Sequence, residues 1–403
     1  MTDPTPASAL PRPFSQAELD DRLRRVQEEM ARRGLASLVV VDPANLYYLT
    51  GYNAWSFYVP QCLIVPASGL PHLFGRPMDM HGTIHTTDLA SDRAHFYPES
   101  YIHRTDIHPY DWIADRAQEL GLLPDTHDSI VAAETDAHYF SPRGFLALHR
   151  RLQRATLVDA HELVNWVRLV KSPAEADKMR VAGRIATQVM TRAIEALRPG
   201  RRQCDVVADI QHAQAVGTAE AGGDYPAIVP MLPTGKRAGT PHLTWSDVEF
   251  VRGEATTLEL AGCYQRYHAP IARTVSLGPP SAPLAHCADA IEEAVGVTLD
   301  AMRPGTPVDE VHAAFTRVLA RHGLSKESRI GYSIGIGFPP DWGEHTVSLR
   351  AEETTVLRTG MAFHVILGMW MDDWGYELSE PVLIGDGAAE RLIDLPQTLT
   401  VTP

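Results

Sequence analysis

Ala196-Leu-Arg-Pro-Gly200, followed by Asp205-Val206-Val207 and a run of helical periodicity, recurs as Ala301-Met-Arg-Pro-Gly305, followed by Glu310-Val311-His312 and a second such run. The offset is a constant 105 residues. Pro-Gly is a common helix stop and can recur by chance. The shared A-Φ-R-P-G and the matched downstream register instead predict a duplicated helix–strand unit. Two such halves leave a crevice between them, a usual place for a small-ligand site. Just upstream, Ser172, Pro173 and Glu175 form a capping-box signature that opens a helix reaching Leu197 and stopping at Pro199-Gly200. Long helices followed by runs of strands from here onward predict an α+β domain.

The first 160 or so residues read differently. Ser15 and Glu18 make a capping box, and Leu19, Leu23, Val26, Met30 and Leu35 follow at helical spacing up to the stop at Gly34. The β-branched run Ser37–Asp42 predicts a strand buried on both faces. Further strands are predicted at Tyr58–Val65, His72–Phe74 and Ile130–Ala133, with helical stretches such as 141–153 between them. The chain therefore divides into a tail (1–14), an α/β domain (15–165) and an α+β domain (166–403).

Composition narrows the function. The chain has 403 residues, 44% hydrophobic and 21% charged, as ordinary globular domains do. Thirty-six basic residues against fifty acidic ones leave a formal charge of −14, so the basic footprint of a nucleic-acid binder is missing. No apolar run approaches a membrane span, and Met1–Pro13 has no apolar signal-peptide core. The four cysteines are far apart with no C-x-x-C pair, which predicts a reduced, cytoplasmic protein without disulfides or a cysteine zinc site. There is no G-x-S-x-G, H-E-x-x-H or P-loop, and Gly335-Ile-Gly337 lacks the third glycine of a dinucleotide fingerprint.

The stretch that carries chemistry is Pro241-His242 … Glu259-Leu-Ala-Gly-Cys263 … Arg273-Thr274. Thr256–Leu260 reads as a buried strand bearing one carboxylate. A buried lone Glu is costly, so Glu259 is either paired, with Arg273 as its structural partner, or protonated, or functional.

On these residues the C-terminal half resembles the pita-bread fold of methionine aminopeptidase, prolidase and creatinase, and the N-terminal half the creatinase/prolidase N-terminal domain. In the metallopeptidases of that family five acidic or imidazole ligands hold two metal ions. Registered on Arg273-Thr274, this chain has Glu259, Pro270, Tyr332, Ile366 and Ser379 at those five positions. Hard divalent ions need several oxygen or imidazole ligands, so the resemblance implies a metal-free, cofactor-free member, for which creatinase is the precedent.

The segments Gly51–Tyr58, Gly222–Pro230, Pro241–Trp245, Glu259–His268 and Pro339–Glu344 are similar to those of the ectoine hydrolases, across nearly the whole chain after residue 15. That family opens the cyclic amidine of the solute ectoine to N-acetyl-2,4-diaminobutyrate. The resemblance implies Glu259 as nucleophile or general base and His242 as proton shuttle. It also implies that Trp55, Phe57 and Trp342 stack on the flat cation, with Tyr332 and Glu377 in the same pocket. Core packing for Trp55 and Phe57, whose alternation about Ser56 also suits a buried sheet, a structural Tyr332 and a solvated strand-end Glu377 are the plainer alternatives. Arg76 and Arg273 are candidates for the ectoine carboxylate. Creatinase-like relatives imply a homodimer in which one chain's N-terminal domain closes the partner's site, and leave open a deacetylase as protein partner. The competing readings are a metal-dependent lyase or Xaa-Pro peptidase of the same fold, and a catalytically inactive peptide-binding pita-bread protein.

Overall fold

The computed structural model describes residues 12–402, so the tail expected over 1–14 lies almost wholly outside the described residues. The chain forms two compact units, Met1–Arg168 and Leu169–Pro403.

The N-terminal unit is a six-stranded mixed sheet. Its strands are β1 (Ser37–Val40), β2 (Cys62–Pro66), β3 (His72–Gly75), β4 (Ala94–Phe96), β5 (Ile130–Ala133) and β6 (Thr156–Asp159), in the order β4-β3-β2-β1-β5-β6. The first helix, Gln16–Arg32, starts where the sequence says it should, with the Ser15 side chain accepting the Glu18 N–H. Strand β1 is buried along its length, as its β-branched run requires. Buried Glu134, just past β5, accepts the N–H groups of Val41 and Asp42 at 2.7 and 2.8 Å and so ties the ends of β1 and β5 together.

The strand expected over Tyr58–Val65 begins only at Cys62. Pro60 supplies no ladder donor, and Ser56 turns inward to bond Tyr52 Oη at 3.0 Å and Gln61 Oε1 at 2.6 Å. Residues 55–57 are therefore an irregular loop, not part of a buried sheet, and Trp55 is 57% exposed.

The C-terminal unit holds β7 (Ala255–Tyr264), β8 (Tyr267–Leu277), β9 (Gly331–Phe338), β10 (Asp341–Ser348), β11 (Ala362–Trp370), β12 (Gly375–Ile384), β13 (Ala389–Arg391) and β14 (Thr400–Thr402). The order is β13-β12-β11-β9-β8-β14, with β10 added on β9 and β7 on β8. The sequence echo is visible as two helix pairs, each followed by a long hairpin. Helices Pro173–Ala196 and Gln203–Val216 share a core with β7 and β8. Helices Ala282–Ala301 and Val308–Arg321 share one with β11 and β12. Each buried Val, Leu or Ile of these cores is worth roughly 1.5–3 kcal/mol of burial, which is what clamps the helices to one face of the strands.

The helix Pro173–Ala196 comes so near to β7 that a Cβ at Gly262 would lie 2.2 Å from the Ala182 carbonyl oxygen. Only glycine permits that approach, and three residues before it the same strand carries Glu259.

Candidate active site

Glu259 sits mid-strand in β7, opposite Ala272 of β8, with its backbone also paired to Met231. It is 6% exposed, and its carboxylate makes no side-chain hydrogen bond among the described residues. Burial, and secondarily the charge of Asp341, push its carboxyl up to about 7. Arg273 does not neutralise it. That guanidinium bonds Glu380 at 2.6 Å and the carbonyls of Ser379, Ala272 and Pro396, while Arg391 reaches the other Glu380 oxygen at 3.0 Å. The structural pairing of Glu259 with Arg273 is thus corrected: register places Arg273 opposite Leu258, one residue off, and its side chain serves Glu380. These bonds take four of the five guanidinium N–H groups of Arg273, which is 2% exposed, so the side chain is committed to Glu380 and its neighbouring carbonyls. Arg76, in the N-terminal unit, is engaged by Glu99.

Glu377 in β12 is a second buried carboxyl, 1% exposed, not a solvated strand end. Its backbone and the Thr274 hydroxyl exchange hydrogen bonds across to β8 at 2.8 and 3.0 Å, and its Oε2 has no partner. Burial and then the charge of Glu259 hold it well above the ordinary carboxylate range, against the opposing pull of Lys326. Each carboxyl thus resists ionisation while the other is charged, and a delocalised cation placed beside them would favour the ionised form. Lys326 lies 4.2 Å from the Trp370 ring, donates to the Gly368 carbonyl at 2.6 Å, and is lowered to about 8 by burial.

Tyr332 of β9 is partly buried, and its phenol is raised by burial first and by the Glu259 charge second. It accepts from Trp342 Nε1 at 2.8 Å. Trp342 itself is fully buried, its ring 6.3 Å from those of His268 and His364, so it stands behind Tyr332 as a support. Register shifts between β9 and β10 put Asp341 opposite Phe338 and Gly343 opposite Ile334. Asp341 accepts from the Gly343 N–H at 2.9 Å and lies 2.8 Å from His345 Nε2.

His242 lies on an exposed loop, and its ring makes no hydrogen bond among the described residues. The adjacent Leu243 carbonyl accepts from Leu232, whose neighbour Met231 pairs with Glu259, so one extended segment separates this loop from β7. His268 has both ring nitrogens occupied, by Ala227 N and the Arg266 carbonyl, and is structural. Trp55 and Phe57 belong to the N-terminal unit, where their rings pack at 4.9 Å and Phe57 meets Tyr139 edge-on.

The C-terminal unit alone therefore assembles Glu259, Glu377, Tyr332 and Trp342. Sequence reasoning gave no role to Asp341, Lys326 or His364. Asp341 stood in the quoted segment Pro339–Glu344, and His364 is a lone polar residue in the apolar run Phe363–Leu367; both signals were present.

Residues 177–386 match the model of metallopeptidase family M24, and residues 22–170 that of the creatinase/prolidase N-terminal domain. The chain belongs to this family and is a hydrolase. It is 42% identical over 397 residues to the ectoine hydrolase of Halomonas elongata, covering 96% of this chain and 98% of that protein. It is 28% identical to the probable dipeptidase PepE of Mycobacterium tuberculosis over 95% of this chain and 96% of that one. Among solved structures, dipeptidase PepE from Mycobacterium ulcerans superposes with a TM-score of 0.79 at 27% identity, covering 97% of this chain and 99% of that one. A prolidase from Thermococcus sibiricus, 20% identical and covering 96% of this chain and all of that one, reaches 0.82 and shares the fold.

The family implies metal ions, and the donor set does not fit them. No group of three or more His, Cys, Asp or Glu side chains converges among the described residues. Ile366 and Ser379 face each other across β11 and β12, and Ser379 Oγ is bonded to His364 Nε2 at 2.6 Å. The neighbouring acid, Glu380, is occupied by two arginines.

Proposed function

We propose that this chain hydrolyses ectoine, opening its cyclic amidine to N-acetyl-2,4-diaminobutyrate without a metal ion. The observation that carries the reading is the pair of buried carboxyls, Glu259 and Glu377, in a protein 42% identical to an ectoine hydrolase. The amidinium carbon lies between two nitrogens and spreads one positive charge over them. That cation favours the ionised form of the buried carboxyl pair and is attracted by it. Glu259 then attacks the carbon or draws a proton from the water that does. In the net reaction one C–O bond forms, one ring C–N bond breaks, and a proton passes to the departing nitrogen, which stays tethered. His242, exposed and unbonded, is the proton carrier in this reading. Trp55 and Phe57 stack on the substrate from the partner chain of a cytoplasmic homodimer.

The deciding experiment is mass spectrometry of purified enzyme with ectoine, together with elemental analysis of the active sample. The expected result is a product heavier by one water, formed at an undiminished rate after chelation, with well under one transition metal per chain. Inactivity on ectoine with chelator-sensitive cleavage of dipeptides would replace this reading by a PepE-like one.

A further inference from the structure

A chain of hydrogen bonds runs behind Tyr332, through groups the proposed mechanism does not use. The Ala272 N–H donates to Ser379 Oγ at 2.6 Å, and Ser379 Oγ lies 2.6 Å from His364 Nε2. His364 Nδ1 lies 3.3 Å from Tyr332 Oη, which also accepts from Trp342 Nε1 at 2.8 Å. Ser379, His364 and Trp342 are fully buried.

The two ends of the chain are fixed donors, since a backbone amide and an indole N–H only donate. Between them, only two polarities are consistent with a neutral imidazole. In one, Ser379 donates to His364 Nε2, and the Nδ1–H donates to Tyr332. In the other, Tyr332 donates to Nδ1, the Nε2–H donates to Ser379, and the Ser379 hydroxyl proton has nowhere to go. No other acceptor bonds Ser379 Oγ among the described residues, and a fully buried hydroxyl proton without an acceptor is disfavoured; the first polarity leaves free only the proton of Tyr332, a residue that is partly exposed where Ser379 is not. Burial lowers His364 to about 3, so the ring is neutral and carries a single N–H.

We propose that Ser379 and His364 are positioning residues that make Tyr332 a one-way hydrogen-bond donor to the reaction site beside Glu259. With both lone pairs of its oxygen filled by His364 and Trp342, the phenol proton is the one free valence left. Such a donor has no use for the bound amidinium, whose nitrogens only donate. It finds a lone pair once the carbon becomes tetrahedral, on the added oxygen or on a ring nitrogen. An interaction made in the transition state and not in the ground state raises kcat and leaves KM alone.

The polarity itself is tested without substrate, by ¹⁵N NMR of histidine-labelled full-length protein, with the His364 signals assigned by their loss in His364→Gln. The expected spectrum shows His364 as the Nδ1–H tautomer, moving toward Nε2–H in Ser379→Ala. An Nε2–H tautomer in the wild type overturns the proposal.

The catalytic consequence rests on ectoine turnover. Tyr332→Phe is expected to lower kcat by about 10²-fold with KM nearly unchanged, on the scale of one transition-state donor. Ser379→Ala is expected to lower kcat in the wild type but to cost nothing further in the Tyr332→Phe background, and Ser379→Thr to restore it. Additive losses, or a loss in KM in place of kcat, overturn the positioning role. The expected tautomer in a protein inactive on ectoine would sink the substrate assignment and leave the bond polarity standing.

Discussion

Replacing Asp341 with asparagine removes a negative charge while keeping the shape of the side chain. Glu259 stands at about 7 against an ordinary 4.5, with burial the larger cause and Asp341 the smaller. Less than half of the rise therefore leaves with the Asp341 charge, about 0.5–1 pH unit. The sign follows directly: a nearby anion resists ionisation of Glu259, so neutralising it moves the ionisation to lower pH. If ionised Glu259 is the reacting form, the acid limb of kcat/KM lies near 7 in the wild type and moves down in Asp341→Asn. At pH 6 the fraction ionised then rises about three- to five-fold, and activity relative to the plateau rises with it. The assay is product formation from ectoine followed by mass spectrometry across pH 5–9. The plateau itself is free to change, since an amide in place of the Asp341 carboxylate bonds His345 differently; the position of the limb carries the test. A limb that stays in place or moves upward would refute both the proximity of Asp341 to Glu259 and the assignment of the limb to Glu259.

Glu259→Gln is expected to lower kcat by at least about 10²-fold with the fold intact by circular dichroism, and near-normal turnover would remove the residue from the mechanism. His242→Ala is expected to lower kcat by at least about 10²-fold if its imidazole carries the proton; near-normal turnover means another group moves it. Arg273→Met leaves Glu380 buried with only Arg391 beside it, so denaturant unfolding should show a loss of about 3–5 kcal/mol, whereas unchanged stability with a raised KM would return Arg273 to the substrate carboxylate. Mixing inactive Glu259→Gln and Trp55→Ala chains under subunit exchange should regain activity if the partner's aromatic loop completes each site. No gain despite verified exchange would place the site within single chains.

Local chemistry in the sequence was enough for much of this molecule. Capping at Ser15 and Ser172 depends on residues three apart, and both helices start there. The repeated A-Φ-R-P-G marked two helix pairs because a helix stop and the next start are encoded within ten residues. The replaced ligand positions, Pro270 and Ile366 above all, have side chains without a donor, and the expectation of a metal-free enzyme rests on that chemistry and awaits elemental analysis. What the sequence left undecided was decided by contacts between strands far apart in the chain. Whether Glu259 pairs with Arg273 hung on a one-residue offset in the β7–β8 register and on Glu380, more than a hundred residues away. The alternation of Trp55 and Phe57 about Ser56 left a buried sheet open as the alternative, which hydrogen bonds of Ser56 with Tyr52 and Gln61 in an irregular loop decide against. Asp341, Glu377 and the Ser379–His364–Tyr332 chain become a site only when β7, β9, β10, β11 and β12 lie side by side. Charge coupling and hydrogen-bond polarity act through space over a few ångströms, and a linear sequence does not record that separation until the sheet has brought its strands together.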